Sequence, residues 1–510
     1  MLSQIKSSGL LGVNGVIVTV EIDISRGLPS YSLVGLPDTG IKESKDRVFS
    51  AVKNNGFKYP MERITINLAP ADLKKEGPAF DLAIALGILS ASDQLTWDHP
   101  ENYLVIGELS LSGEIRSVNG VLPMVLAAKE AGISNVLVPF VNRHEAAVVQ
   151  DVNVYPLTDF HEAVSFLKNE LIIEPFTVDL TALLTTENSC HSIDFSDIRG
   201  QDLAKRGLEI AAAGAHNVLM SGPPGSGKTM LAKGFPSILP DLTLDEALEI
   251  TKIHSISGLL KNHSIISKRP FRSPHHTISK VSLVGGGRIP KPGEVSLAHL
   301  GVLFLDELPE FQKSALEVLR QPIEDQEVTI SRINASLTFP ASFTLITSMN
   351  PCPCGYLTDP AHECICTPQQ IKNYQGKISG PLMDRLDIFV EIPSTSYDEL
   401  QTKPKGESET SLAIKRRVDA ARERQNQRYQ DLDIFYNAQL TPKLMETFCH
   451  LGPAEEILME KVYTKMKLSA RGYHRILKLA RTIADLDGSE TIEISHLSEA
   501  IQYRGMTRLS

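Results

Sequence analysis

The sequence predicts an α/β protein in three units: an α+β domain over residues 1–168, an α/β core with a parallel sheet over 195–393, and a helical lid over 394–510, with 169–194 as linker. Three observations carry this. In the first unit, short β-branched runs ("VIVTVEIDI", "ERITINLA", "NVLVP") mix with amphipathic segments such as "VLPMVLAAKEAG", as strands and helices of an α+β fold do. In the second, helix, strand and Gly-rich loop succeed one another from "DFSDIRGQDLAKRGLEIAAAGAHNVLMSGPPGSGKT" onward, the pattern of a parallel sheet covered on both faces. Beyond the polar stretch "TSYDELQTKPKGESETS" the chain reads as helices only.

The N-terminal run "GLLGVNGVIVTVEIDI" alternates β-branched with polar residues and lacks a small-residue cleavage site, so it reads as a first strand and not a signal segment. Nowhere do about 18 consecutive apolar residues occur, which argues against a membrane span. Six cysteines in 510 residues are no disulfide framework, and four of them, Cys352, Cys354, Cys364 and Cys366, fall within fifteen residues. That clustering points to a reducing cytoplasm and a metal site. The C-x-C-x9-C-x-C spacing departs from the commoner C-x2-C pattern, yet four soft ligands favour zinc over idle thiols, with His362 in the loop not needed. A net charge of −10 argues against wholesale coating of nucleic acid but leaves room for a local basic channel. The most basic segment, "KRRVDAARERQNQR" over 415–428, reads as a solvated helix face or subunit contact ahead of a DNA contact.

The second unit holds the chemistry. "GPPGSGKT" (Gly222, Pro223, Pro224, Gly225, Ser226, Gly227, Lys228, Thr229) fits the phosphate-loop spacing, with the strand-like "HNVLM" before it and an apolar helix start after it. Glycine lets backbone N–H groups turn toward the phosphates of ATP, Lys228 reaches the outer phosphates, and Thr229 holds Mg²⁺. Further on, "GVLFLDELPEF" is an apolar strand ending in Asp306 and Glu307. Asp306 can join the Mg²⁺ shell, and Glu307 can orient and deprotonate the attacking water. A third strand, "FTLITSM", delivers Asn350, whose amide can polarise the same water. "SGPLMDRLDIFVEI" and "LSARGYHRILKLARTIADL" present Arg385 and Arg471. Either arginine alone reads as a surface residue. In an oligomeric ATPase one can reach a neighbour's γ-phosphate and the other can sense nucleotide in its own subunit.

These residues, in this order, resemble the AAA+ ATPases, and "FRSPHHTISKVSLVGGGRIPKPGEVSLAHLGVLFLDE" with "SMNPCPCG" narrows the resemblance to the magnesium-chelatase-like AAA+ proteins of bacteria, over essentially the whole chain. The resemblance implies Asn350 as sensor 1, Arg385 as arginine finger, Arg471 as sensor 2, and a homo-hexameric ring. It also implies a helix-2 insert, "TISKVSLVGGGRIPKPGE", and a hairpin before sensor 1 around "EVTISRINASLTFPA", elements that related motors direct into a central pore. Lys280, Arg288 and Lys291 near the insert's glycines, and Arg332 on the hairpin, supply charge for phosphates.

The stretch "KKEGPAFDLA" (74–83) resembles the nucleophile loop of Lon-type proteases, Lys-Asp-Gly-Pro-Ser-Ala-Gly, with Ala79 where the serine stands. "GLPDTGIKES" and "LSGEIRSVNGVLPMVLAAKEAGISNVLVP" extend that resemblance, and the catalytic-lysine position falls on Met124. An alanine cannot attack a carbonyl and a thioether cannot act as general base. A Lon-like domain without peptidase activity is therefore expected, kept as a scaffold for binding or ring assembly, with Lys74 and Lys75 available to DNA or a neighbouring subunit. For the whole chain the resemblance implies a DNA-translocating ATPase, acting with recombination proteins on single-stranded and branched DNA in branch migration during natural transformation. The alternative is a chelatase-type motor that remodels a protein partner.

Overall fold

The computed structural model describes residues 2–180, 183, 193–260, 264–287, 290–332, 335–394 and 409–505. The chain falls into two compact units that interleave in sequence: residues 1–187, 243–267 and 331–338 form one, and 188–242, 268–330 and 339–510 form the other.

The first unit is built on a seven-stranded mixed sheet. Its strands lie in the order Ser30–Val34, Arg63–Ala69, Asn14–Ser25, Leu2–Leu11, Tyr103–Val105, Asn135–Pro139, Asn153–Leu157. Leu2–Leu11 and Asn14–Ser25 pair antiparallel over ten residues through the turn at Gly12, so the N-terminal run is a pair of strands and not one. Val18, Val20, Ile22 and Ile24 alternate inward along the second of them, as period-two patterning requires. Against this sheet packs the helix Asp81–Ala91, buried on every face except at Ser90. A helix apolar all round has no solvent side to offer.

The helix Leu244–Ile256 also belongs to this unit and packs on the helix Val121–Glu130. A buried carboxylate joins them: Glu145 accepts from the Leu122 N–H at 2.9 Å, from Asn142 at 3.2 Å, and from the Ser255 hydroxyl. Burial pushes the Glu145 carboxyl up, and these donors oppose the rise.

The second unit carries a five-stranded sheet in the order Phe271–Arg272, Val302–Leu305, Thr344–Met349, Val218–Ser221, Ile388–Glu391, with every pairing parallel. Its strands are buried runs such as VLFL and TLITSM, the signature of a sheet covered on both sides. The helices Ser411–Tyr429, Pro442–Phe448, Pro453–Met466, Ala470–Asp487 and Ile494–Gly505 make up the C-terminal region. Ile476, Leu479, Ala480 and Ile483 repeat at helical spacing on the buried face of Ala470–Asp487.

A polar core joins the sheet to these helices. Asp387, just ahead of the strand Ile388–Glu391, accepts from the Asn217 N–H at 3.0 Å and is ion-paired with Arg475. His216, fully buried, lies 3.7 Å from the same carboxylate and shares a 2.7 Å hydrogen bond with Thr482. Burial works to raise the Asp387 carboxyl, but Arg475, His216 and the Asn217 N–H outweigh it and hold it well below the usual range. A depressed acid contributes stability that is complete above its unfolded pKa of about 4 and is lost as pH falls toward the folded value. Asp387→Ala leaves Arg475 and His216 facing each other without their anion, and is expected to cost about 3–5 kcal/mol. Thermal unfolding at neutral pH checks this, and the deficit relative to the unaltered chain should shrink in acid.

Five of the six basic residues over 415–428 are spent on structure. Lys415 pairs with Asp241, Arg417 with Glu209 and Glu409, and Arg428 with Asp485, while Arg422 and Arg424 donate to the carbonyls of Ala212 and Asp485.

Candidate nucleotide site

Sheet order assembles the site. The strand Thr344–Met349 lies between Val218–Ser221 and Val302–Leu305 and runs parallel to both. The loops that begin at Gly222, Asp306 and Asn350 therefore leave neighbouring strands at one carboxyl edge, where doubly wound sheets bind their ligands.

In the phosphate loop, Gly225 and Gly227 take φ of +77° and +89°, the left-handed region that glycine enters freely. Lys228 opens the helix Lys228–Gly234 and is buried. Its ammonium donates to the Gly222 and Pro223 carbonyls, both at 2.7 Å, and stands 3.4 Å from the Ser226 hydroxyl and from Asn350 Oδ1. Burial lowers the Lys228 pKa, opposed by Asp306 and Glu307. A phosphate arriving here would favour the charged form.

Thr229 donates to Asp306 Oδ2 at 2.9 Å. A hydroxyl and a carboxylate side by side are hard oxygen donors that suit Mg²⁺. Asp306 is also fixed from the middle strand by the Ser348 hydroxyl, a contact sequence reasoning missed. The available signal was Ser348 itself, a hydroxyl two positions before Asn350 near the end of a buried strand. Glu307 is exposed and held at φ +53°, its N–H directed at Asp306 and Ser348, and its carboxylate lies 3.8 Å from His276. A cleft of about 480 Å³ beside it is lined by Glu307, Asn350, Tyr374 and Lys377 among others.

The two arginines differ. Arg471 is exposed in the first turn of the helix Ala470–Asp487, one turn ahead of Arg475. Arg385 is 5 % exposed, ion-paired with Glu324 at 2.5 Å and donating to the Pro381 carbonyl at 2.6 Å. It is therefore an inward-turned side chain and not the surface residue that its sequence context implied when read alone. Lys280, opening the helix Lys280–Val284, and Lys291, within the short antiparallel pairing of Gly285–Gly286 with Lys291–Pro292, are both exposed. Arg288 lies outside the described residues. Arg332 ends the strand Glu327–Arg332 of the two-stranded ribbon that returns through Ala335–Pro340, and its side chain also lies outside the description.

In the first unit, Ala79 sits buried in the turn Pro78–Phe80, and Met124 is buried in the helix Val121–Glu130. Lys75 is 2 % exposed and bonded to the Pro70 carbonyl, which removes it from any surface role, while Lys74 is exposed and pairs with Glu76. The four clustered cysteines converge: all four Sγ atoms lie within 4.8 Å of one another.

Comparison with known proteins matches this architecture along its length. The family described as "Magnesium chelatase, subunit ChlI" matches residues 194–400, its C-terminal counterpart matches 408–504, and "Subunit ChlI of Mg-chelatase" matches 20–142. Competence protein ComM of Haemophilus influenzae is 45 % identical over 509 residues, covering 100 % of this chain and 98 % of that protein. The chain belongs to the magnesium-chelatase-like ComM/YifB family. YifB of Escherichia coli and YifB of Salmonella typhimurium, both uncharacterized members, are each 43 % identical, again over 100 % of this chain and 98 % of their own length. Among the described residues, no helix is long and apolar enough to cross a membrane.

Proposed function

We propose that this member of the magnesium-chelatase-like family is an ATP-driven motor that moves on DNA as a homo-hexameric ring. One observation carries the reading: Lys228, Thr229, Asp306, Glu307 and Asn350 leave three adjacent parallel strands at a single edge, with Thr229 bonded to Asp306 and Asn350 facing Lys228. Phosphoryl transfer asks for little more than positioning and neutralised charge. Lys228 supplies a cation for the outer phosphates. Thr229 and Asp306 would hold Mg²⁺, which when bound would supply positive charge to neutralise the phosphates, and Glu307 takes a proton from the attacking water. Arg471 senses nucleotide within the subunit, and Arg385, released from Glu324, completes a neighbour's site.

DNA as the track follows the resemblance given by the sequence, and the exposed cations Lys280 and Lys291 at the glycine turn support it. A phosphate backbone offers the same charge at every step, so such a grip tolerates sequence. The natural task of the motor is branch migration of recombination intermediates in transformation. The N-terminal unit is a Lon-like scaffold without peptidase activity, since neither Ala79 nor Met124 can do acyl chemistry.

Measuring ATP turnover with no DNA, single strands, duplex and a four-way junction tests the proposal. DNA should stimulate turnover, and the Lys280→Ala/Lys291→Ala protein should bind DNA with a salt dependence whose slope is shallower by roughly one for each phosphate it no longer neutralises. Turnover indifferent to every DNA would sink the DNA motor and leave a motor that acts on a protein partner.

A further inference from the structure

The spacing of the cysteine sulfurs suits a thiolate metal site, with all four within 4.8 Å of one another. Cys352 Sγ lies 3.3 Å from Cys354 Sγ and 3.7 Å from Cys364 Sγ, and Cys354 Sγ lies 3.6 Å from Cys364 Sγ. Four sulfurs about 2.3 Å from a central ion stand about 3.8 Å apart along the edges of their tetrahedron, whereas a disulfide needs about 2.05 Å. Cys366 Sγ accepts the Cys354 N–H at 3.4 Å, and the four thiols are free.

What this loop touches is of greater interest. It begins two residues after Asn350, and its first turn is closed by the Gly355 N–H donating to the Cys352 carbonyl at 3.0 Å. Gly355, at φ +88°, lies against the phosphate loop: a Cβ placed on it would come within 2.5 Å of Pro224 Cδ. Beyond Cys366 the chain enters the helix Pro368–Gln375, which returns to the same strand end. Gln375 donates to the Pro351 carbonyl at 3.0 Å, and Tyr374 lines the same cleft as Asn350. Asn350 in turn faces Lys228, and the Met349 carbonyl accepts the Gly222 N–H at 3.3 Å. Both ends of the cysteine loop are thus tied to the residues that shape the phosphate loop.

We infer that the four thiolates hold one zinc-class ion that serves to build the nucleotide site: drawing residues 352–366 into a knot seats Gly355 on Pro224 and fixes Asn350 opposite Lys228. The inference rests on Gly222–Thr229 as the nucleotide loop. Loss of the ion frees a fifteen-residue loop, and the entropy of ordering it must then be met by nucleotide binding itself.

The test uses the full chain, purified reduced and without chelator, with zinc measured by elemental analysis and binding of fluorescent ADP by polarisation. The unaltered protein should carry about one zinc per chain. Cys364→Ser should lose the ion and bind ADP at least about tenfold more weakly. Gly355→Ala keeps every ligand but drives a methyl group into Pro224, and should retain zinc while also weakening ADP by about tenfold. Circular dichroism and a melting curve establish that each variant is folded, and should Cys364→Ser fail to fold, Gly355→Ala decides alone. The inference is overturned by protein that holds no zinc, or by either variant, folded, binding ADP as the unaltered chain does. An unaltered, zinc-loaded protein that binds no ADP or ATP overturns instead the reading of Gly222–Thr229.

Discussion

The Glu307→Gln protein is expected to bind ATP as the unaltered chain does and to hydrolyse it at least about a hundredfold more slowly, the usual contribution of a positioned general base. The amide keeps the size and hydrogen-bonding reach of the carboxylate and loses only its basicity. Glu307 suits this test because its backbone is fixed by Asp306 and Ser348 while its side chain stays exposed beside the cleft. Lys228→Ala should fail differently. Its ammonium is the one side-chain cation hydrogen-bonded to the phosphate-loop carbonyls among the described residues, so its removal should weaken ATP binding itself. Equilibrium binding with a fluorescent ATP analogue, followed by single-turnover hydrolysis, separates the two. Wild-type turnover by Glu307→Gln would remove it as the base.

The second large effect concerns Arg385. Arg385→Ala alone should reduce turnover by about 10³-fold or more, the low end for an arginine finger. Mixed with Lys228→Ala, it should regain part of the missing activity, because in a mixed ring some interfaces pair an intact pocket with an intact finger. The salt bridge to Glu324 gives the prediction its risk. An arginine that only holds Glu324 and Pro381 in place would destabilise its own subunit, and mixing would restore nothing. Turnover measured across mixing ratios, in rings shown to contain both variants, distinguishes the two outcomes.

Much of the site could be read from the sequence because each part is local. A run such as VLFL followed by Asp306 and Glu307, or a strand followed by GPPGSGKT, carries element and chemistry in one short window. What could not be read depends on distant partners. Strand order is not written in any window, so nothing in the sequence placed Asn350 between the other two loops. The Ser348 bond to Asp306 follows from that order. Burial of charge is equally non-local: Lys75, taken from the sequence as a surface contact, is drawn under by the Pro70 carbonyl. Arg385 is turned inward by Glu324 in the same way. Lys415, Arg417 and Arg428 looked solvated because their acidic partners Asp241, Glu209 and Asp485 stand far away in the chain. The helix Leu244–Ile256 reads as part of the ATPase core by position, yet it packs with the first unit, where Ser255 answers a buried carboxylate.

The pairing of Asp387 with Arg475 bears on how such proteins can be recombined. Arg475 and Arg471 stand four positions apart on one helix, about one turn, so the clamp on Arg475 sets the direction in which Arg471 projects, on which its proposed sensing role depends. A C-terminal region transplanted from another member of the family would bring its own Arg471 counterpart but would be aimed by the host's residue 387. Chimaeras cut anywhere between Pro393 and Thr410 therefore divide the aiming device between donor and host. They should fold stably only when the acid and the arginine are compatible across the junction, and an exchange that carries both should tolerate far more divergence elsewhere in the helices.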